Sequence, residues 1–125
     1  MKLLTIDDSR TIRRVISGVG GMLGYEVLEA ENGTDGLEVL ENRGEEVALV
    51  LLDWNMPGMN GLEVLKAIKA DPRIQHIPVM MVTTEGEKSY IVRAIQAGAS
   101  HYMTKPFSQE DMAARIMECL GMGGA

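Results

Sequence analysis

The sequence predicts an α/β protein, a parallel five-stranded sheet doubly wound by helices on both faces. Three observations carry this. Five short β-type runs alternate with five stretches of helical apolar spacing. Turn residues punctuate the junctions between them. One run, Val47–Leu52, is apolar at every position, which fits a parallel strand buried on both faces. Strand–helix–strand units cross over right-handed, so such an alternation stacks helices on either side of one sheet.

In chain order, Lys2–Ile6 is a β-type run stopped by Asp7-Asp8. Asp8 or Ser9 offers an N-cap, and Ile12, Val15, Ile16, Val19 and Leu23 recur at helical spacing until Gly24. Tyr25–Glu29 reads as a second strand, broken at Asn32-Gly33. Leu37 and Leu40 mark a second helix, closed near Arg43-Gly44. Val47–Leu52 ends on Asp53, and the loop Asn55-Met56-Pro57-Gly58 continues neither strand nor helix. Leu62, Leu65 and Ile68 stripe a third helix, terminated by Asp71-Pro72. Pro78–Val82 is a fourth strand ending on Thr83-Thr84. Ile91, Ala94 and Ile95 make a fourth helix that stops at Gly98. Ser100–Met103 is a weaker fifth strand, followed by Lys105-Pro106. Met112, Ile116 and Leu120 place a last helix on the sheet, and Gly121–Ala125 carries no packing signals. Residues 1–125 are therefore expected to form a single domain with no output domain.

A chain of 125 residues can bury roughly two-thirds of its unfolded surface. With 46% apolar and 24% charged residues it reads as soluble and globular. A net charge of −6 argues against wholesale binding to nucleic acid or an anionic membrane and suits cations or basic partner surfaces. The only cysteine, Cys119, allows no internal disulfide, which fits a reducing cytoplasm, and it reads as a small buried hydrophobe. No apolar run approaches the roughly 20 residues of a membrane span. His76 and His101 are expected at the surface, and Arg13-Arg14 on a solvated helix face. Most of the ten methionines are expected in the core.

The chemistry gathers at strand carboxyl ends, the edge where open α/β sheets bind ligands. Asp7 with Asp8, Asp53, Thr83 and Lys105 all fall there. Each pair among three carboxylates about 4 Å apart costs roughly 4 kcal/mol at an effective dielectric of about 20. Without compensation at least one would be protonated. A divalent ion and the Lys105 ammonium together supply matching positive charge, and an all-oxygen site with few carboxylates suits Mg²⁺. Asp53 is then placed to attack a phosphoryl donor and become an acyl phosphate, with position and electrostatics supplying most of the catalysis.

The segments TIDDS, LLDWNMPGMNG, PVMMVTTE and GASHYMTKPF, in that order, resemble the receiver domains of bacterial two-component signalling, especially the CheY-like chemotaxis type. The resemblance spans essentially the whole chain. It implies a flavodoxin-like (βα)5 fold with strand order 2-1-3-4-5. It further implies that Asp53 is the phosphoacceptor, that Asp8 ligates Mg²⁺ directly and Asp7 through water, and that the Asn55 carbonyl joins the metal shell. Thr83 would hydrogen-bond the phosphoryl group, Lys105 would pair with it, and Lys105-Pro106 would be cis. Tyr102 matches the switch aromatic. By that likeness, Thr83 moves toward the new oxygens, the Tyr102 ring turns into the vacated space, and a surface of the fourth helix, fifth strand and fifth helix is presented to a target. Trp54, Asn55 and Glu85 favour the chemotaxis type over transcription-factor receivers. Thr84 departs from the family's usual Ala or Gly beside the phosphoryl group, and its bulk is expected to slow the attacking water. The implied partners are a sensor histidine kinase and a downstream protein, the implied state a cytoplasmic monomer that catalyses only its own phosphorylation and slow dephosphorylation.

Three rival readings share parts of this pattern. A phosphorelay carrier would pass its phosphoryl group to a histidine phosphotransfer domain. A haloacid-dehalogenase-type phosphatase would need an acid–base aspartate two residues after Asp53, where Asn55 stands. A flavin-binding module would need a Ser-, Thr- and Gly-rich loop after the first strand, where Asp-Asp-Ser-Arg would repel the flavin phosphate.

Overall fold

The computed structural model describes residues 1–121; the remainder of the Gly121–Ala125 tail lies outside the described residues. The elements are β1 (Lys2–Ile6), α1 (Arg10–Met22), β2 (Glu26–Ala30), α2 (Gly33–Arg43), β3 (Val47–Leu52), α3 (Gly61–Ala70), β4 (Val79–Thr83), α4 (Lys88–Gln96), β5 (His101–Thr104) and α5 (Gln109–Cys119). The five strands pair in parallel in the order β2-β1-β3-β4-β5, as the flavodoxin-like resemblance implied.

Successive residues of the inner strands point to opposite faces, as a pleated strand requires. Leu3, Leu49, Leu51, Met80 and Val82 pack with Ile16 and Val19 of α1 and Met112 and Ile116 of α5. Leu4, Ile6, Val50, Leu52, Val79 and Met81 face the other way. They meet Leu40 of α2, Val64, Leu65 and Ile68 of α3, and Ala94 of α4. Each such side chain taken from water contributes about 1.5–3 kcal/mol before its ordering entropy is counted. That two-sided burial is why Val47–Leu52 could be apolar throughout. It also fixes the register: a one-residue slip would exchange the two cores.

Boundaries differ from expectation by one residue at three strands, for reasons of hydrogen bonding. The Tyr25 N–H donates to the Gly20 carbonyl at the end of α1, 2.9 Å away, so β2 begins at Glu26. Pro78 has no N–H; its carbonyl accepts from Val50 N–H at 3.0 Å, and β4 begins one residue later. At the far end Thr83 pairs with Thr104, which lengthens both β4 and β5 toward the loops. A short 3₁₀ turn, Gly44–Glu46, joins α2 to β3 and was not expected.

Helix starts follow the capping logic. Ser9, Asn32, Asn60 and Ser108 each accept a backbone N–H, and Asn60 with Glu63 forms a reciprocal capping box. Gly24, at φ 88°, turns the chain out of α1 in the left-handed region that favours glycine. Met56, Met80, Met81, Met103 and Met112 are buried, whereas Met1 and Met22 are exposed. His76 is exposed as expected, and His101 is half-buried. Burial pushes the half-buried Cys119 thiol up to about 11, which fits an inert hydrophobe. No helix among the described residues is long and apolar enough to cross a membrane.

Candidate functional site

The carboxyl edges of β1, β3 and β4 and the loop after β5 bring Asp7, Asp8, Asp53, Thr83 and Lys105 together. Asp7 is held on every polar atom. Its N–H donates to the Ala30 carbonyl at 3.0 Å, and its Oδ1 accepts from Ser9 N–H at 2.9 Å. Its Oδ2 accepts from Lys105 Nζ at 2.8 Å, and its carbonyl accepts from Arg13 Nη1 at 2.7 Å. Asp53 continues the β3 ladder, donating its N–H to the Ile6 carbonyl at 3.0 Å. Its residue is only 5% exposed, and Lys105 Nζ lies 3.4 Å from its Oδ2. Asp8 is exposed at the mouth.

Lys105 enters the pocket from the loop after β5. Its N–H donates to the Thr83 carbonyl at 2.8 Å, and the Lys105-Pro106 peptide is cis, as the resemblance implied. Thr83 is fully buried, and its hydroxyl hydrogen-bonds the Asp53 carboxylate and accepts from Glu85 N–H at 3.3 Å. Gly61 closes the floor. A Cβ there would lie 2.1 Å from the Asp53 carbonyl oxygen and 2.8 Å from Trp54 Cα, so no larger residue fits without moving the Asp53–Trp54 backbone.

Burial and then the Asp7 charge push the Asp53 carboxyl above its ordinary value, against the Lys105 ammonium and the Thr83 hydrogen bond. One ammonium therefore does not neutralise the pocket. Carboxylate oxygens from Asp7, Asp8 and Asp53 lie within 4.8 Å of one another. Octahedral Mg²⁺ ligands at 2.0–2.1 Å span about 2.9–4.2 Å. The donor set is thus all oxygen and under-neutralised, and it is close enough for the three acids to face one ion.

The loops around the pocket are tied to each other. Asn55, exposed, donates from its side-chain amide to Glu85 Oε1 at 2.8 Å. The Tyr102 hydroxyl donates to the Glu85 carbonyl. The Tyr102 ring is half-buried, and burial pushes its phenol up to about 12. Trp54 is buried and meets the Tyr90 ring edge-on, with centroids 4.9 Å apart at 80°. The Arg93 guanidinium carbon lies 5.4 Å from the Trp54 ring centroid and 5.9 Å from that of Tyr90. Thr84 is exposed beside Thr83.

Every expected site residue lies at this edge. Sequence reasoning missed Arg13, which is not on a solvated face: its side chain is 12% exposed and bonded to Asp7 and Glu29, while Arg14 is exposed. It also missed the contact of Tyr90 and Arg93 with Trp54. The available signal was their spacing of three on one helix, which places both on one face.

Comparisons with known proteins bear on the whole arrangement. Residues 3–117 match the model of the response regulator receiver domain. A chemotaxis protein CheY homolog of Campylobacter jejuni is 42% identical over 124 residues, covering 98% of this chain and 95% of that protein. Chemotaxis protein CheY1 of Helicobacter pylori is 44% identical over 122 residues, covering 97% and 98%. Among solved structures, the chemotaxis response regulator CheY4 of Vibrio cholerae superposes with a TM-score of 0.88 at 30% identity, covering 95% of this chain and 98% of that one.

Proposed function

Because this chain belongs to the response regulator receiver domain family, we propose that it is a phosphorylation-dependent signalling switch whose acceptor is Asp53. The supporting observation is the Lys105 ammonium seated between Asp7 and Asp53 inside the three-carboxylate pocket. In this reading a phosphohistidine of a sensor kinase is the donor. An Asp53 oxygen forms a bond to phosphorus as the donor's N–P bond breaks, and the imidazole keeps the electron pair. Lys105 and the Thr83 hydroxyl then face the transferred oxygens and offset their charge. Asp8 directly, Asp7 through water, Asp53 and the Asn55 carbonyl would hold Mg²⁺, which when bound supplies a Lewis acid for the phosphoryl oxygens.

The acyl phosphate is lost slowly to water, and the chain turns over no other substrate. Asn55 stands where a phosphatase of the aspartyl type would need its acid–base carboxylate. Movement of Thr83 toward the phosphoryl group shifts the Thr83–Glu85 segment, to which the Tyr102 hydroxyl is bonded. That segment leads into α4, so the change reaches the face of α4, β5 and α5. An open groove of roughly 650 Å³ on this face, lined in part by Ile91, Tyr102, Phe107 and Arg115, is where a target would dock. The named relatives are chemotaxis proteins, which supports an output in chemotaxis or motility rather than relay to a phosphotransfer domain.

The test is incubation with Mg²⁺ and a small phosphoryl donor, followed by intact mass and by emission of Trp54, the only tryptophan. One added phosphoryl group with an accompanying Trp54 change is expected. It should be absent in Asp53→Ala. Labelling that persists in that variant would remove Asp53 as the acceptor.

A further inference from the structure

We propose that Arg13 is a positioning residue for the acidic pocket, acting through the main-chain carbonyl of Asp7. The inference rests on the reading that Asp7 and Asp8 hold a divalent cation. Of the four polar contacts that fix Asp7, only the bond from Arg13 Nη1, at 2.7 Å, engages the carbonyl that belongs to the Asp7–Asp8 peptide. The orientation of that peptide sets where the Asp8 side chain leaves the backbone, and Asp8 is the exposed carboxylate at the mouth.

The guanidinium is itself aimed. Glu29, at the end of β2, accepts from Arg13 Nε at 3.1 Å, and Ser17 Oγ donates to the other Glu29 oxygen at 3.2 Å. Arg13 thus spans from a carboxylate to a carbonyl with a planar fork, a geometry that a lysine cannot reproduce at both ends. The Arg13 side chain is 12% exposed and its bond to the Asp7 carbonyl is part-buried, while the Glu29 end of the fork is open to solvent.

Charge and positioning predict opposite effects of Arg13 on metal binding. A fixed positive group beside a cation pocket repels the incoming ion, and removing it would tighten binding if charge were its only effect. Positioning predicts the opposite sign. Groups that orient metal ligands at one remove commonly change affinity by about 10–100-fold when lost.

The experiment titrates the full chain with Mg²⁺ alone, following Trp54 emission and the heat of binding, beside thermal melting without metal. Arg13→Gln should bind Mg²⁺ about tenfold more weakly than wild type. Arg13→Lys, which keeps the charge and can reach the carbonyl with one donor, should lose several-fold. Arg10→Gln, on an exposed position of the same helix, removes a charge without touching Asp7 and should bind at least as tightly as wild type. Unchanged or tighter binding in Arg13→Gln, with normal wild-type binding, overturns the inference and leaves the metal reading intact. If Arg13→Gln does not fold, unchanged affinity in Arg13→Lys overturns it equally. A wild type with no Mg²⁺ response overturns both.

Discussion

Replacing Asp53 with Asn should make the metal-free protein more stable, although it removes the proposed acceptor. Asp53 is 5% exposed, and its pKa is raised first by burial and second by Asp7. At an effective dielectric of about 20, the Asp7–Asp53 repulsion across at most 4.8 Å is roughly 3–4 kcal/mol. The Lys105 ammonium, 3.4 Å from Asp53 Oδ2, returns about 5 kcal/mol on the same scale. Asp8 is exposed and screened by solvent, so charge against charge roughly cancels, and the residue of the balance is the desolvation of a buried anion, several kcal/mol less what the Thr83 hydrogen bond recovers. A net cost of about 1–2 kcal/mol at neutral pH follows, and its removal should raise the melting temperature by about 4–8 °C in a domain of this size.

The pH dependence has a definite sign. The folded carboxyl binds its proton more readily than the unfolded one, whose ordinary value is 3.8. The destabilisation is therefore full above the folded pKa and fades as pH falls through it, so the advantage of Asp53→Asn should vanish below about pH 3.8. Added Mg²⁺ should raise the melting point of wild type more than that of the variant. Scanning calorimetry of both proteins between pH 3 and 8, with and without Mg²⁺, measures all three effects. An Asp53→Asn protein that melts at or below wild type at pH 7 without metal would refute the electrostatic account.

Gly61→Ala must push the Asp53–Trp54 backbone by about 1 Å to clear a 2.1 Å contact, so phosphorylation should slow by about a hundredfold and stability fall by about 1–3 kcal/mol; a normal labelling rate would show that the loop absorbs the methyl harmlessly. Thr84→Ala should speed loss of the phosphoryl group, followed as decay of the labelled mass, and equal or slower loss would reject a shielding role for this exposed side chain. Tyr90→Leu should cost about 0.5–1.5 kcal/mol of edge-on ring contact and shift Trp54 emission, whereas Arg93→Ala should cost about 0.5–1 kcal/mol. Unaltered emission in both variants would mean that α4 does not sense the residue next to Asp53.

The acidic pocket was legible in the sequence because its members are side chains of distinctive chemistry, each at the end of a β-type run. Asp7, Asp53 and Lys105 are far apart along the chain, but a parallel sheet gives their strand ends a common edge. Arg13 was not legible. Its partner at the pocket is a carbonyl oxygen, which every residue possesses, and its other partner, Glu29, comes from a different strand. An arginine pair on an amphipathic helix looks the same whether it reaches water or a buried peptide. Tyr90 and Arg93 were visible as helical neighbours, but Trp54, the surface they cover, lies 36 residues before Tyr90. The one-residue shifts at β2 and β4 came from single N–H groups, one diverted to Gly20 and one missing at Pro78, which periodicity does not register.

Glu85 works as a yoke, joined by its carboxylate to Asn55 and by its carbonyl to Tyr102, while its N–H reaches the Thr83 hydroxyl. Hydrogen bonds lengthened by an ångström are effectively broken. A displacement of this one residue along the sheet edge loads all three tethers at once. Pulling from the helix side slackens the rim around the acids, and tightening the rim tugs on the tyrosine. If the proposed switch operates, coupling between the two ends of this edge would run both ways through one residue, Glu85.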